Sequence, residues 1–146
     1  RYKKATKITI GNTVTYKKVT YKITSVYTKS LRKNTKVSQI SIGNNVTAIG
    51  TSAFEGCTAL KSVTIGTGVT SIGKDAFKSC KKISAITIRS TKLKAVGSNA
   101  FRGIYAKAKI RVPSAKLKAY QKLLKNKGQG AKVNVFPFVS GTGFVS

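Results

Sequence analysis

A 23-residue period runs through this chain and restricts it to a stacked architecture. Residues 38–60 read SQISIGNNVTAIGTSAFEGCTAL, and residues 61–83 read KSVTIGTGVTSIGKDAFKSCKKI. Residues 84–104 read SAITIRSTKLKAVGSNAFRGI, with one extra residue in the first loop. A worn copy, ITSVYTKSLRKNTKV, precedes them at residues 23–37. Apolar columns align across the copies: Ile23, Val46, Val69 and Leu93; Val26, Ile49, Ile72 and Val96; Leu31, Phe54, Phe77 and Phe101; Val37, Leu60 and Ile83. One copy is too short to bury its own apolar face. Stacking brings like positions together into one continuous core.

Within a copy, the pair Ile40/Ile42 recurs as Val63/Ile65 and Ile86/Ile88. Alternation of period two predicts a short strand. Gly43 and Gly66 mark a turn after it, and Gly50, Gly73 and Gly97 end a second extended piece. The SAFEGC-type segment predicts a single helical turn with its Phe inward. Rows of parallel strands should therefore line one face of a coil.

Four segments follow: a β cap at 1–22, repeats at 23–112, a capping helix at 113–128 and an apolar tail at 129–146. In the cap, the turn signals Gly11-Asn12 and Lys17-Lys18 predict a hairpin covering the open edge of the coil. Ser114 reads as a helix N-cap and Gly128 as a helix stop. Leu117, Tyr120, Leu123 and Leu124 share one face between them. The stretch from Val133 to Ser146 carries no charged side chain and reads as a final strand folded onto the core. The alternative is strand addition to a neighbouring chain through Val133, Val135, Phe136, Phe138 and Phe144.

Composition excludes most catalysis. Lys and Arg total 29, Asp and Glu total 2, and His is absent, giving a net charge of +27. Without His, neither a Ser-His-Asp triad nor a Cys-His pair can form. Two acids and two cysteines are a poor metal set, so no metal and no cofactor are expected. Glu55 and Asp75 would serve a glycosidase only if they met in one cleft. The expectation is a protein that is not an enzyme. Apolar residues at 40% also exclude a disordered basic tail. No run of about 18 apolar residues suits a membrane span. The chain begins at Arg1 with no signal peptide visible and reads as a processed chain or an excised fragment.

Cys57 and Cys80 lie one period apart, so their Cα atoms should be about 5 Å apart, a separation a disulfide accepts. Their column also holds Asn34 and Ile104, which favours two unbridged, inward thiols. A bridge stays open on the sequence.

The pattern I-G-x-x-A-F-x-x-C-x-x-L/I-x-x-V-x-I resembles the BspA-type (Treponema pallidum-type) leucine-rich repeat, strongly over residues 38–103 and more loosely through Val112. The resemblance implies a leucine-rich-repeat solenoid; with the end segments read above, the expected fold is a β-rich α/β solenoid, a right-handed coil of about four 23-residue repeats with an N-terminal hairpin cap, a C-terminal capping helix and a final strand. The resemblance also implies a secreted or surface-attached bacterial protein that binds host or cell-surface partners, and it supplies no catalytic residues. Tyr27 stands where later copies have Gly, Ser30-Leu31 replaces Ala-Phe, and Gly43, Gly66 and Arg89 replace the usual Pro.

Function then rests on surfaces. The outward strand positions, Gln39, Ser41, Ser62, Thr64 and Thr87, predict a small, polar, uncharged binding face. The basic residues Lys74, Lys78, Lys81, Lys82, Lys92, Lys94, Arg102, Lys107, Lys118 and Lys122 are expected on loops and turns, facing a polyanion. The expectation is an extracellular or cell-surface binding and adhesion module engaging cell-wall or host glycans. A self-assembling surface protein built through the tail is the alternative. Lys near Tyr2, Tyr16, Tyr21 and Tyr27 suits nucleic-acid stacking, but alternating Tyr is also ordinary strand propensity, and nucleic acid is the less favoured partner.

Overall fold

The computed structural model describes residues 6–139 and 143–144. Its elements are β1 (Lys7–Ile10), β2 (Thr13–Tyr16), β3 (Val19–Lys22), β4 (Ser25–Val26), β5 (Gln39–Ile42), β6 (Ala48–Ile49) and β7 (Ser62–Ile65). They continue with β8 (Ser71–Ile72), β9 (Ala85–Ile88), β10 (Ala95–Val96), β11 (Lys109–Pro113), α1 (Leu117–Leu123), β12 (Asn134–Val139) and β13 (Gly143–Phe144). Strands recur in the order β1-β5-β7-β9-β11-β12-β13 in a seven-stranded sheet, and β10-β8-β6-β4 in a four-stranded one. The result is a β-solenoid of about five turns.

The predicted alternation forms the larger sheet. In β7 and β9 the second and fourth residues are buried and the others half-exposed. Parallel pairing holds each column in register: Ile40, Val63 and Ile86 are neighbours, as are Ile42, Ile65 and Ile88. Between the sheets, Phe54, Phe77 and Phe101 stack with ring centroids 5.2 and 5.9 Å apart. All three are fully buried. A Cβ at Gly66 would come within 2.6 Å of the carbonyl oxygens of Ile42 and Gly43, so this close coil-to-coil contact needs glycine.

The SAFEGC-type segments are not helical turns. Alternate residues bond locally and to the next coil. Ala53, Glu55 and Cys57 amides donate to Gly50, Ser52 and Phe54, three residues back. Ser52, Phe54 and Gly56 amides donate onward to Lys74, Ala76 and Lys78. This alternation places two residues per coil in the left-handed region: Lys29 and Lys33, Ser52 and Gly56, Asp75 and Ser79, Asn99 and Gly103. A continuous helix would direct every amide inward along the segment and leave nothing for the neighbouring coil.

The ends differ from the sequence expectation. The edge of the large sheet is β1 itself, paired parallel to β5, so a rung precedes the recognisable repeats. The β2–β3 hairpin exists, but it stands apart as its own two-stranded sheet with every strand residue exposed, and does not cover that edge. At the other end β11 adds another rung beyond the last clear repeat, which is why the coil runs to about five turns.

Ser114 opens a single 3-10 turn, Ser114–Lys116, ahead of α1 and makes no side-chain cap bond. The helix ends at Leu123, well before Gly128. Gly128, at φ +93, instead lies against Arg102, where a Cβ would meet the Arg102 Cβ at 2.7 Å. The Phe101 amide donates to Lys127, which extends the turn ladder into the segment after α1. The capping role of α1 holds: its Tyr120, with Leu124 just after the helix, is buried and joins the core. The tail folds back as predicted. β12 pairs parallel to β11, and β13 pairs antiparallel to β12.

Candidate binding surfaces

Two rows of outward side chains cross the large sheet. One runs Thr9, Ser41, Thr64, Thr87, Arg111, Phe136; the other runs Lys7, Gln39, Ser62, Ala85, Lys109, Asn134. Gln39, Ser41, Ser62, Thr64 and Thr87 are thus brought onto one face. The centre is uncharged, as the sequence predicts, but the ends are not. Lys7 bounds one side, and Lys109, Arg111 and Phe136 bound the other. Lys109 sits over the Phe136 ring, 5.7 Å from its centroid. The signal for these residues was present: Lys109-Ile110-Arg111-Val112 repeats the alternation of Ala85-Ile86-Thr87-Ile88 one rung on.

Beside this face lies a cavity of about 380 Å³, lined by Thr9, Ser41 and Thr64 with Asn12, Asn44 and Arg89. Its wall is ordered by side-chain carbonyls. Asn12 Oδ1 accepts the Asn44 amide at 2.8 Å, and Asn44 Oδ1 accepts the Thr67 amide at 3.0 Å.

The predicted basic residues divide among four places. Lys74, Lys78, Lys81, Lys82 and Arg102 lie on or beside the turn ladder, Lys92 and Lys94 on the segment leading into β10, and Lys118 and Lys122 on α1. Lys107 is exposed just before β11, and all ten are exposed except the half-buried Lys78. One column reads Arg32, Glu55, Lys78, Arg102 along the ladder. Arg32 Nε lies 3.4 Å from Glu55 Oε2. The Glu55 carboxyl is held below its ordinary pKa, chiefly by the Ser52 hydroxyl, and further by Arg32 and Lys78 against the opposing effect of burial. Asp75 occupies a left-handed turn position, where a short polar side chain is tolerated. Each acid thus has its own place in the coil.

The remaining sequence candidates are placed as follows. Cys57 and Cys80 are buried and unbridged, with each sulfur donating to a carbonyl of the preceding coil, Leu31 at 3.1 Å and Phe54 at 3.0 Å. Contact with Cys57 and burial raise the pKa of the Cys80 thiol. Val133 and Val135 pack against the core. Phe136 and Phe138 sit in β12, and Phe144 is placed by its backbone pairing with Phe138. These residues therefore serve a sheet within the chain. Tyr2 lies outside the described residues. Tyr16, Tyr21 and Tyr27 are exposed. Among the described residues no group of three or more His, Cys, Asp or Glu is placed to hold a metal ion. No helix among them is long and apolar enough to cross a membrane.

Comparison with known proteins agrees with this geometry. The BspA type leucine rich repeat region matches residues 24–135 in six copies. No curated protein matches the chain. The fold is similar to the crystal structure of a leucine-rich repeat protein from Bacteroides ovatus, with a TM-score of 0.66 and 25% sequence identity. The match covers 94% of this chain and 31% of that one, so the chain spans about a third of that protein's length.

Proposed function

Because the chain belongs to the BspA-type leucine-rich repeat family, we propose that it is a non-enzymatic binding module of a bacterial surface protein that engages polyanionic wall or host glycans outside the cell. The observation that carries the reading is the exposure of basic side chains along the turn ladder, the β10 approach and α1. Two acids can neutralise at most two of 29 positive charges, so the rest call for an external counter-charge. Lys predominates over Arg, which suits point-charge contact with repeated sulfate, phosphate or carboxylate groups more than bidentate readout of one group.

The test is retention of the whole chain on immobilised heparin and on purified wall teichoic acid across a salt series. The expected result is tight retention at about 50 mM salt with log affinity falling linearly in log salt, as counterion release requires. Replacing Lys78, Lys81, Lys82 and Arg102 by Gln should flatten that slope. Passage through both matrices at low salt overturns the proposal.

A further inference from the structure

The β2–β3 hairpin carries an aromatic face that nothing in the solenoid requires. Cross-strand partners share a face, and the pairs are Val14 with Tyr21 and Tyr16 with Val19. All four side chains therefore lie on one side of the ribbon. They are exposed by 52%, 51%, 62% and 50% in that order. The opposite side is polar, with the Thr15 and Thr20 hydroxyls 3.1 Å apart. A strand face with this alternation normally packs on a core. Here the apolar side is open, while the inward Phe54, Phe77 and Phe101 and the inward strand residues of the repeats are buried.

The tip carries a second observation. Lys17 and Lys18 occupy the two central positions of the turn, at φ +48 and +64. Tight hairpin turns favour Asn-Gly at these positions because both need the left-handed region. Two lysines there are conformationally unfavourable, and they concentrate two cations at the end of the aromatic strip. Lys17 Nζ lies 5.3 Å from the Tyr16 ring centroid. The first acid in the sequence is Glu55, so residues 1–54 supply no counter-charge.

We propose that this hairpin face is a stacking site for the sugar rings of an extended anionic glycan, a uronate or sulfated chain, whose charged groups meet Lys17 and Lys18. This proposal rests on the polyanion reading above and assigns recognition of the sugar itself to one element. The apolar C–H face of a pyranose lies flat on a tyrosine ring, whose negative π face attracts those hydrogens. Lipid is less suited: the strip offers two Val and two hydroxyl-bearing Tyr, with no Leu, Ile, Phe or Trp to enter an acyl layer. A second copy of the chain would bring its own +27 charge to the contact.

The experiment compares a heparin oligosaccharide with poly(vinyl sulfonate), a polyanion without sugar rings. The probes are added to the whole chain, to Y16T/Y21T, and to K17N/K18G. Threonine keeps strand propensity, and Asn-Gly keeps the turn. Y16T/Y21T should lose about tenfold in heparin affinity, the scale of one or two stacked rings, with poly(vinyl sulfonate) affinity unchanged. K17N/K18G should weaken both probes alike. Glycan should also protect Tyr16 and Tyr21 of the unaltered chain from iodination while poly(vinyl sulfonate) does not, a readout that does not depend on either variant folding.

Equal response of Y16T/Y21T to the two probes, with no selective protection, overturns the proposal and leaves the charge reading standing. Absence of binding to either probe overturns both. Tyr-dependent binding to phosphatidylglycerol vesicles without glycan selectivity assigns the face to lipid instead. Tyr-dependent dimerisation without glycan selectivity assigns it to a second copy.

Discussion

The Tyr120 hydroxyl donates a 2.7 Å hydrogen bond to the carbonyl of Ser90, joining the capping helix to the third clear coil. The same oxygen accepts the Leu93 amide at 3.1 Å. Ser90 is fully buried and Tyr120 nearly so. Tyr120→Phe keeps the ring and leaves a buried donor and acceptor unmatched. We expect a loss of about 1–3 kcal/mol, read as a lower denaturant midpoint at constant slope. An unchanged midpoint would show that water replaces the hydroxyl.

The alternating turn geometry makes opposite predictions at two positions of one column. Ser79 sits at φ +62, and its counterparts one coil away on either side, Gly56 and Gly103, are glycines. Ser79→Gly should relieve a left-handed penalty of about 1 kcal/mol, partly offset by greater freedom of the unfolded chain. Its net effect should be neutral to slightly stabilising. Gly56→Val places a β-branched residue at φ +74, facing Lys33, and should lower stability by at least about 1 kcal/mol. Thermal melts of the two variants side by side decide the point.

Alkaline pH should weaken the fold through Cys80. Its pKa is raised in the folded chain, first by Cys57 and then by burial. A raised acid contributes stability that is intact below its unfolded pKa of about 8.5 and is lost as pH climbs above that. Tyr120, raised by burial, acts in the same direction at higher pH. The informative window is about pH 8.5–10, where the unfolded thiol ionises and the folded one does not. The midpoint should fall across it, and Cys80→Ala should flatten the fall.

Glu55 predicts the acid side and the salt response. Its lowered pKa means that its contribution is present above about pH 4.3 and lost as pH falls through the folded value. Glu55→Gln should lower stability by about 0.5–1 kcal/mol at low salt, since the pair with Arg32 is partly exposed. Added salt should raise the stability of the unaltered chain by screening its net charge and shrink the difference between the two. A difference that persists at about 1 M salt would point to the Ser52 contact as its source.

The solenoid was legible because stacking forces like residues into register. Val46, Val69 and Leu93 form one buried column, and three Phe rings form another, at the spacing the period dictates. What escaped was chemistry that does not alter that pattern. Val14, Tyr16, Val19 and Tyr21 alternate as a buried strand would, and only the placement of β1 in the sheet shows that the hairpin is not the cap. Lys109 and Arg111 were marked by their alternation alone, because their rung lacks the Ala-Phe pair that identifies the others. The left-handed turn positions hold Lys, Ser, Asp, Asn and Gly alike, so composition did not distinguish them from one helical turn.

The turn ladder also has a mechanical meaning. Successive coils are fastened by the same few amide bonds, and a terminal coil has a neighbour on one side alone. Under tension along the chain, such a stack yields from its end and sheds one coil per step. Each 23-residue coil releases roughly 80 Å of extended chain. A chain stacked this way would lengthen in steps under load, and the coils farther in would keep their packing until their turn came.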